Sequence, residues 1–467
     1  MTRNAVLVAA IPLGALAALG GMYASSTLPL LVAAGGVFVM TGAAGVFSRE
    51  TRWLDVTLVV FLVAAIVQSV PLPPGIVQVI SPHASRLQTL IQLATGSSWR
   101  TLTIDQQATR DGVATIATAL FVFWAAREAF ARGGTHAAIR LVAMTGAVAA
   151  VVAVAARITA PGLILWTWQP IDPNATPYGP IVNPNHFATW LLMAGGIAAG
   201  DFAARIRSRW PDRSTSRRLL VHDLLAEGTV PLLALCTAAI LLAVIASGSR
   251  GALAGLVVAA LTAFAASRRI GVSRQALVRG SAVLAVAFTM AIWVNADVIA
   301  GRMVPGTEVR RSTIWHETLP IVRDFPIAGT GLGTFKWAMM SYQQSKSERL
   351  FNQAHDEYLQ LIAEGGVLLA LPALAAVAAW LVLAVRRLRD DRRDAAALRI
   401  AAFAGLAGVA MQCVWDAALR VPANALMLAW LAALVVHERH LDAPSGGNQE
   451  GRRRMRGGTA GLSRRSV

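Results

Sequence analysis

The chain has little charge. Only 14% of its 467 residues are Asp, Glu, Lys or Arg, while 55% are hydrophobic and the mean hydropathy is +0.55. Soluble domains carry charge on about a quarter of their residues, so this shortage places the chain in lipid. Acids are the rarer sign, 25 against 42 Lys and Arg, which leaves a formal charge of +17. That excess would suit nucleic acid if it covered one face, but nearly all of it is arginine gathered in short clusters between apolar runs. Such clusters mark cytoplasmic loops, and no nucleic-acid partner is expected. Cysteine is almost absent. Cys236 and Cys413 each lie within an apolar run without ligand-like spacing, so they read as small core residues rather than a metal or redox pair. No outward carboxylates have the Asp-x-Asp-like spacing of a metal-dependent transferase.

What is present is a succession of apolar runs. A run of roughly 17 to 25 residues crosses the hydrocarbon core as a helix. About twelve such spans lie near residues 5–22, 27–47, 54–71, 112–130, 141–159, 187–204, 229–247, 251–267, 280–296, 366–385, 397–414 and 422–437. The first follows Arg3 and imitates a signal peptide, but a second span comes at once, so it is read as an uncleaved helix. With the N-terminus in the cytoplasm, about 29 of the 42 Arg and Lys fall inside and about 13 outside. The expectation is an all-α polytopic membrane protein of about 12 transmembrane helices over residues 1–437, both termini cytoplasmic. Residues 438–467, rich in Gly and Arg, read as a disordered basic tail attracted to anionic membrane lipid.

Three outward intervals remain. Residues 71–111 begin with a proline-stiffened exit and suit a short surface helix. Residues 160–186 carry Trp166 and Trp168, suited to the headgroup level. The third, 296–365, is the large loop in which the chemistry is placed, because a connection of that length is rarely idle. In it Arg310 and Arg311 precede Ile314, Trp315, Leu319, Ile321 and Val322. This is either an amphipathic helix against the membrane surface, opened by an arginine pair, or a solvated basic face. FPIAGTGLGTF then brings Gly329, Gly331 and Gly333 together. With no strand before it and no phosphate-binding Lys after it, it reads as a flexible hinge or backbone turn rather than a nucleotide loop.

QAHDEYLQLIAEGG is the sharpest feature. As a helix it puts His355, Tyr358, Leu359 and Ile362 on one face, with His355 in the first turn and Gly365 and Gly366 at the end. His355 is either a structural donor or a proton acceptor beside arginines that hold a phosphate leaving group. Arg250, in SGSRGALAGL, is either a snorkelling interfacial cation or an anion clamp, with Ser247, Gly248, Ser249 and Gly251 permitting close backbone approach. Asn183, Pro184, Asn185 and His186 make a turn and N-cap, or else Asn185 and His186 face the outer cavity and contact sugar hydroxyls. Asp416 and Arg420, in WDAALRVPANA, pair with each other or join the site. Asp356, Glu357 and Glu364 orient His355 or the arginines, or are simply solvated.

Together these pieces resemble the O-antigen ligase and O-antigen polymerase superfamily of bacterial envelope enzymes. The resemblance is carried by PLPPGIVQVISP, NPNHFA, SGSRGA, RRSTIW with FPIAGTGLGTF, AHDEYLQLIAEGGVLLAL and WDAALRVPANA, from about residue 68 to 430. It implies a type C glycosyltransferase-like fold with a large periplasmic loop, in the bacterial inner membrane. The implied donor is a glycan on undecaprenyl diphosphate. The acceptor is lipid A-core for a ligase, or another lipid-linked glycan for a polymerase, which leaves room for a separate chain-length regulator. No metal, nucleotide or other cofactor is implied. On this resemblance His355 activates the acceptor hydroxyl, while Arg250 and Arg311 hold the diphosphate, with Arg310 an adjacent ambiguity. The family often has Asn where this chain has Asp356. A transporter or flippase is the alternative of another class, disfavoured by the lack of a two-half repeat and of mid-span ionisable residues.

Overall fold

In the computed structural model residues 2–86, 100–170, 175–209, 228–267, 311–345, 350–390 and 396–438 are described, and the regular elements among them are helices. In chain order these are α1 (Thr2–Ala17), α2 (Ala24–Thr41), α3 (Arg52–Val67), α4 (Pro74–Ile80), α5 (Gln106–Ala131), α6 (Thr135–Thr159) and α7 (Pro184–Arg209). They continue with α8 (Thr229–Ala246), α9 (Arg250–Ser267), α10 (Arg311–Asp324), α11 (Phe335–Tyr342), α12 (Glu357–Asp390), α13 (Ala396–Gln412) and α14 (Pro422–Val436). All the expected apolar spans are helices in place except 280–296, which lies outside the described residues, as does 439–467 of the tail. Among the described residues α2, α5, α6, α7, α8, α9 and α12 are long and apolar enough to cross a membrane, and α1, α13 and α14 are shorter apolar helices. The chain is a polytopic membrane protein.

The bundle is built around α7, which packs against α6, α8, α9, α13 and α14. Trp190, Leu191, Met193 and Ile197 along it are fully buried. Small residues let the helices approach, as membrane packing requires when lipid is as apolar as the core. A Cβ added to Gly255 of α9 would stand 2.5 Å from the Gly408 carbonyl oxygen of α13, and one on Gly408 equally close to the Gly255 oxygen.

One end of the bundle is tied by buried ion pairs. Asp55 of α3 accepts from Arg127 Nη1 at 2.8 Å and Nη2 at 2.9 Å, from Trp124 Nε1 at 2.8 Å and from Thr51 Oγ1 at 2.8 Å. Asp201 is likewise bonded to His136 Nδ1 at 2.9 Å and paired with Arg205 at 3.4 Å, and Arg399 donates to the Val435 carbonyl at 2.6 Å. The arginine clusters were read as loop charges that report topology, but Arg127, Arg205 and Arg399 are buried among the helices. Removing one member of such a pair costs about 3–5 kcal/mol, so these charges also fix helix ends.

The opposite end carries a small cap with its own core. Ile314 and Ile321 of α10 meet Ala84, Phe325, Phe335, Met339, Phe351, Ala354 and Ala363. The helix expected over the arginine pair is therefore present, but the face bearing Ile314 and Ile321 packs into the cap rather than being left for a membrane surface, and Leu319 stays exposed. The short helix expected in 71–111 is α4.

The glycine stretch is a bonded turn, not a flexible hinge. Gly329, Gly331 and Gly333 all have left-handed φ, at 63°, 108° and 75°. Thr330 N donates to the Ala363 carbonyl and Gly331 N to that of Glu364. Gln68 at the end of α3 closes the seam, donating to the Ala328 and Glu364 carbonyls at 2.7 and 2.8 Å and accepting from Leu332 N at 3.2 Å. Opposite this turn α12 breaks at Gly366, with φ 53° and ψ −158°, and its longer leg enters the bundle.

Candidate active site

At the cap end the turn after α13, which carries Asp416, lies against the segment that opens α12 and the starts of α7 and α9. Asp356 is the N-cap of α12: its Oδ1 accepts from Leu359 N at 2.9 Å. Asn caps as well as Asp does, which accounts for the interchange at this position in the resemblance. His355 precedes the cap instead of lying in the first helical turn, and its φ is 50°. A non-glycine residue holds that conformation only where its surroundings over-determine it. They do so here through the preceding peptide. Ala354 N donates to Gln360 Oε1 at 3.0 Å, and the Ala354 carbonyl accepts from Trp315 Nε1 at 3.1 Å.

The ring that this backbone presents is held from behind. His355 Nδ1 lies 3.2 Å from Asp416 Oδ1, and the side chain is 27% exposed. With Nδ1–H donating to the carboxylate, Nε2 keeps its lone pair for an incoming proton. The same Oδ1 lies 3.5 Å from His186 Nε2 without a hydrogen bond between them, and neither ring nitrogen of His186 has a hydrogen-bond partner among the described residues. His186 is 3% exposed and sits behind Asp416, so the alternative reading of NPNH, in which its ring contacts a sugar, has no exposed ring to draw on. Burial alone would raise the Asp416 carboxyl, but the imidazoles of His186 and His355 outweigh it and hold the group well below the usual carboxylate range.

Arg420 does not pair with Asp416. Its Nε is 2.8 Å from Glu357 Oε1 and its Nη1 is 2.6 Å from Glu364 Oε2. Burial would lower its pKa, and the two carboxylates, Glu364 first, more than reverse that. The brace ties the turn after α13 to α12, aided by Glu357 N donating to the Cys413 carbonyl at 2.9 Å. Tyr358 is half exposed and its hydroxyl donates to the Ala410 carbonyl at 2.8 Å. Asn183 Oδ1 accepts from Asn185 N at 2.9 Å, the capping turn at the head of α7, and the Asn185 carbonyl accepts from Gln412 Nε2 at 2.9 Å.

Cations ring the same end. Arg250 is exposed at the first position of α9, whose N-cap Ser249 accepts from Ala252 N at 3.3 Å. The positive end of the helix dipole adds to its charge. The next residue, Gly251, leaves room for a Cβ 3.4 Å from Gln412 Cγ and 3.9 Å from Trp415 Cβ, so α9 starts against the turn that carries Asp416. Arg311 opens α10 one turn before Trp315, the residue that fixes Ala354. Arg310 lies outside the described residues. The sequence reading passed over Arg157, whose guanidinium lies 5.5 Å over the Tyr178 ring, with Nη1 buried and unpartnered. It also missed Gln360 and Trp315 as the pair that sets the His355 backbone. Spacing alone marks Gln360 and Glu364 as one helical face.

Such an arrangement suits removal of a proton beside a departing anion. Among the described residues no group of three or more His, Cys, Asp and Glu is arranged to hold a metal ion. Among known families, residues 235–374 match the O-antigen ligase family, so this part of the chain is similar to it. That stretch contains Arg250, Arg311 and His355, while His186 and Asp416 lie outside it. None of the curated proteins matches the chain.

Proposed function

We propose that this membrane protein, whose residues 235–374 are similar to the O-antigen ligase family, transfers a glycan from undecaprenyl diphosphate to an acceptor at the periplasmic face. The observation that carries the reading is His355, set in a left-handed conformation and bonded through Nδ1 to a buried carboxylate, with arginines at the same end. In a single displacement the acceptor hydroxyl attacks the anomeric carbon and gives its proton to His355 Nε2. The bond from that carbon to the diphosphate oxygen breaks, and its electron pair leaves with undecaprenyl diphosphate. Arg250 and Arg311 stabilise the departing charge, which is worth more at a low-dielectric rim than in water. The proposed fold is of the type C glycosyltransferase kind, in the inner membrane with cytoplasmic termini.

The acceptor decides between ligase and polymerase. We favour transfer to lipid A-core; transfer to another lipid-linked glycan, with a chain-length regulator as partner, is the polymerase form of the same chemistry. The test is the envelope glycan profile of a deletion strain carrying wild type, His355→Ala or Arg250→Ala. Each variant is expected to insert normally and to lose about 10²-fold or more of the product. Loss of capped lipid A-core identifies a ligase, and loss of chain extension a polymerase. Full product from both variants would overturn the site and return the transport reading.

A further inference from the structure

One part of the cap has no charge. No Asp, Glu, Lys or Arg occurs between Asp55 and Arg86, although α3 ends at Val67, so the uncharged run continues past that helix and through α4. Of the seven residues of α4 only Val77 is buried. Ile76 and Val79, one turn apart, are exposed, Val79 by 80%, and Gln78 is the helix's single polar side chain. Water gains nothing from such a face.

The place of α4 in the fold says what covers it. Val77 and Ile80 pack with Val67 and Leu72 after α3, with Ala328, and with Leu368 at the head of the long leg of α12. Next to Ala328, Ile327 is 49% exposed, and its carbonyl accepts from Leu368 N at 2.9 Å. Down the same leg Val367, Leu371 and Leu374 are exposed in one stripe. That leg belongs to a helix long and apolar enough to cross a membrane and is packed on α3, so the stripe faces hydrocarbon. Ile327, Ile76 and Val79 continue it onto the cap. The other helix suited by sequence to the membrane surface, α10, turns Ile314 and Ile321 into the cap core instead.

We propose that α4, with Ile327, is an interfacial anchor that rests in the leaflet at the cap end, its apolar face about 5–10 Å into the boundary of headgroups and acyl chains. The partner is lipid, not a second polypeptide. Gln68 ties the Ala328 carbonyl, against which α4 packs, to that of Glu364 in the first leg of α12, so the anchor sets the height of His355 above the bilayer. On the transferase reading, that height brings the base level with a lipid-linked diphosphate; the anchor itself does not depend on that reading.

The full chain in lipid nanodiscs is irradiated with a diazirine that partitions into hydrocarbon, and separately with a water-soluble one, and the labelled residues are located by mass spectrometry. Ile76, Val79 and Ile327 are expected to take the hydrocarbon probe to within about two-fold of Leu371 and Leu374, and the water-soluble probe several-fold less than the exposed Arg323 of α10. Water-soluble labelling of the three at the level of Arg323 overturns the anchor. Labelling by neither probe shows a protein on this face and overturns it as well. Ile76→Asp with Val79→Asp is expected to cut hydrocarbon labelling of Ile327 several-fold and to leave Leu374 unchanged; unchanged labelling of both shows that α4 does not hold the cap down. If the anchor results come out as expected while His355→Ala leaves the glycan product intact, the transferase reading fails and the anchor stands.

Discussion

Asp416 shows how a single residue changes meaning with its surroundings. In the sequence it stands four residues before Arg420 near the start of the last span, and the two either pair with each other or join the site. In the fold each is taken by other partners, Arg420 by Glu357 and Glu364, Asp416 by His186 and His355. Asp416→Asn keeps the shape and removes the charge that orients His355, so product formation should fall about 10²-fold or more with little change in expression, measured by glycan profile and membrane yield. The same carboxyl makes an acid-stability prediction. Its folded pKa is depressed, so its contribution is fully present above the unfolded value near 4 and is lost as pH falls through the folded one. Thermal unfolding in detergent should therefore weaken below about pH 4, and Asp416→Asn should flatten that decline. His355, Arg250 and the Arg310–Arg311 pair stood out as candidates from residue type and neighbours, while the preference for Arg311 came from the family resemblance. His186 was legible as part of a cap or as a cavity residue but not as a neighbour of Asp416, because nothing local in NPNH says which way its ring turns.

The glycine turn and the break in α12 work as one element. Three left-handed glycines let the 329–333 backbone lie against Glu364 and Gly365, and Gly366 lets α12 change direction toward the bundle. Val367 N and Leu368 N donate to the Pro326 and Ile327 carbonyls across this seam. At Gly331 a Cβ would strike the Thr103 side chain and stand 2.8 Å from Thr109 Oγ1, at a φ of 108° that side chains rarely adopt. Gly331→Ala should destabilise the cap by about 2–4 kcal/mol from strain and overpacking together. Proteolysis of the cap in detergent should be faster in the variant; equal resistance would show that the turn is not what holds it. The glycine spacing made a turn readable. Its partners, Gln68 and Glu364, are too far away in the chain for any local pattern to announce.

For the whole molecule, the two ends of the bundle use charge differently. One end spends arginines on Asp55, Asp201 and a helix carbonyl deep between helices, where they hold the helices in register. The other end leaves Arg250 exposed at a helix start and Arg157 with only an aromatic ring. The proposed sidedness can be checked with the lysines, because Lys336 and Lys346 are the chain's entire set and Lys336 is exposed on α11 of the cap. A membrane-impermeant amine reagent should label intact spheroplasts, and Lys336→Arg with Lys346→Arg should remove that label. Labelling only after lysis would invert the proposed orientation. Apolar runs of bilayer length and clustered arginines sufficed to read a polytopic helical membrane protein, because burying a backbone in hydrocarbon leaves a chain almost no other choice. They could not reveal that three separated segments meet around one carboxylate, or that Arg127, Arg205 and Arg399 sit inside rather than on loops. Those outcomes depend on which helices pack together, a matter of small-residue crossings and long-range polar contacts that carry no local signature.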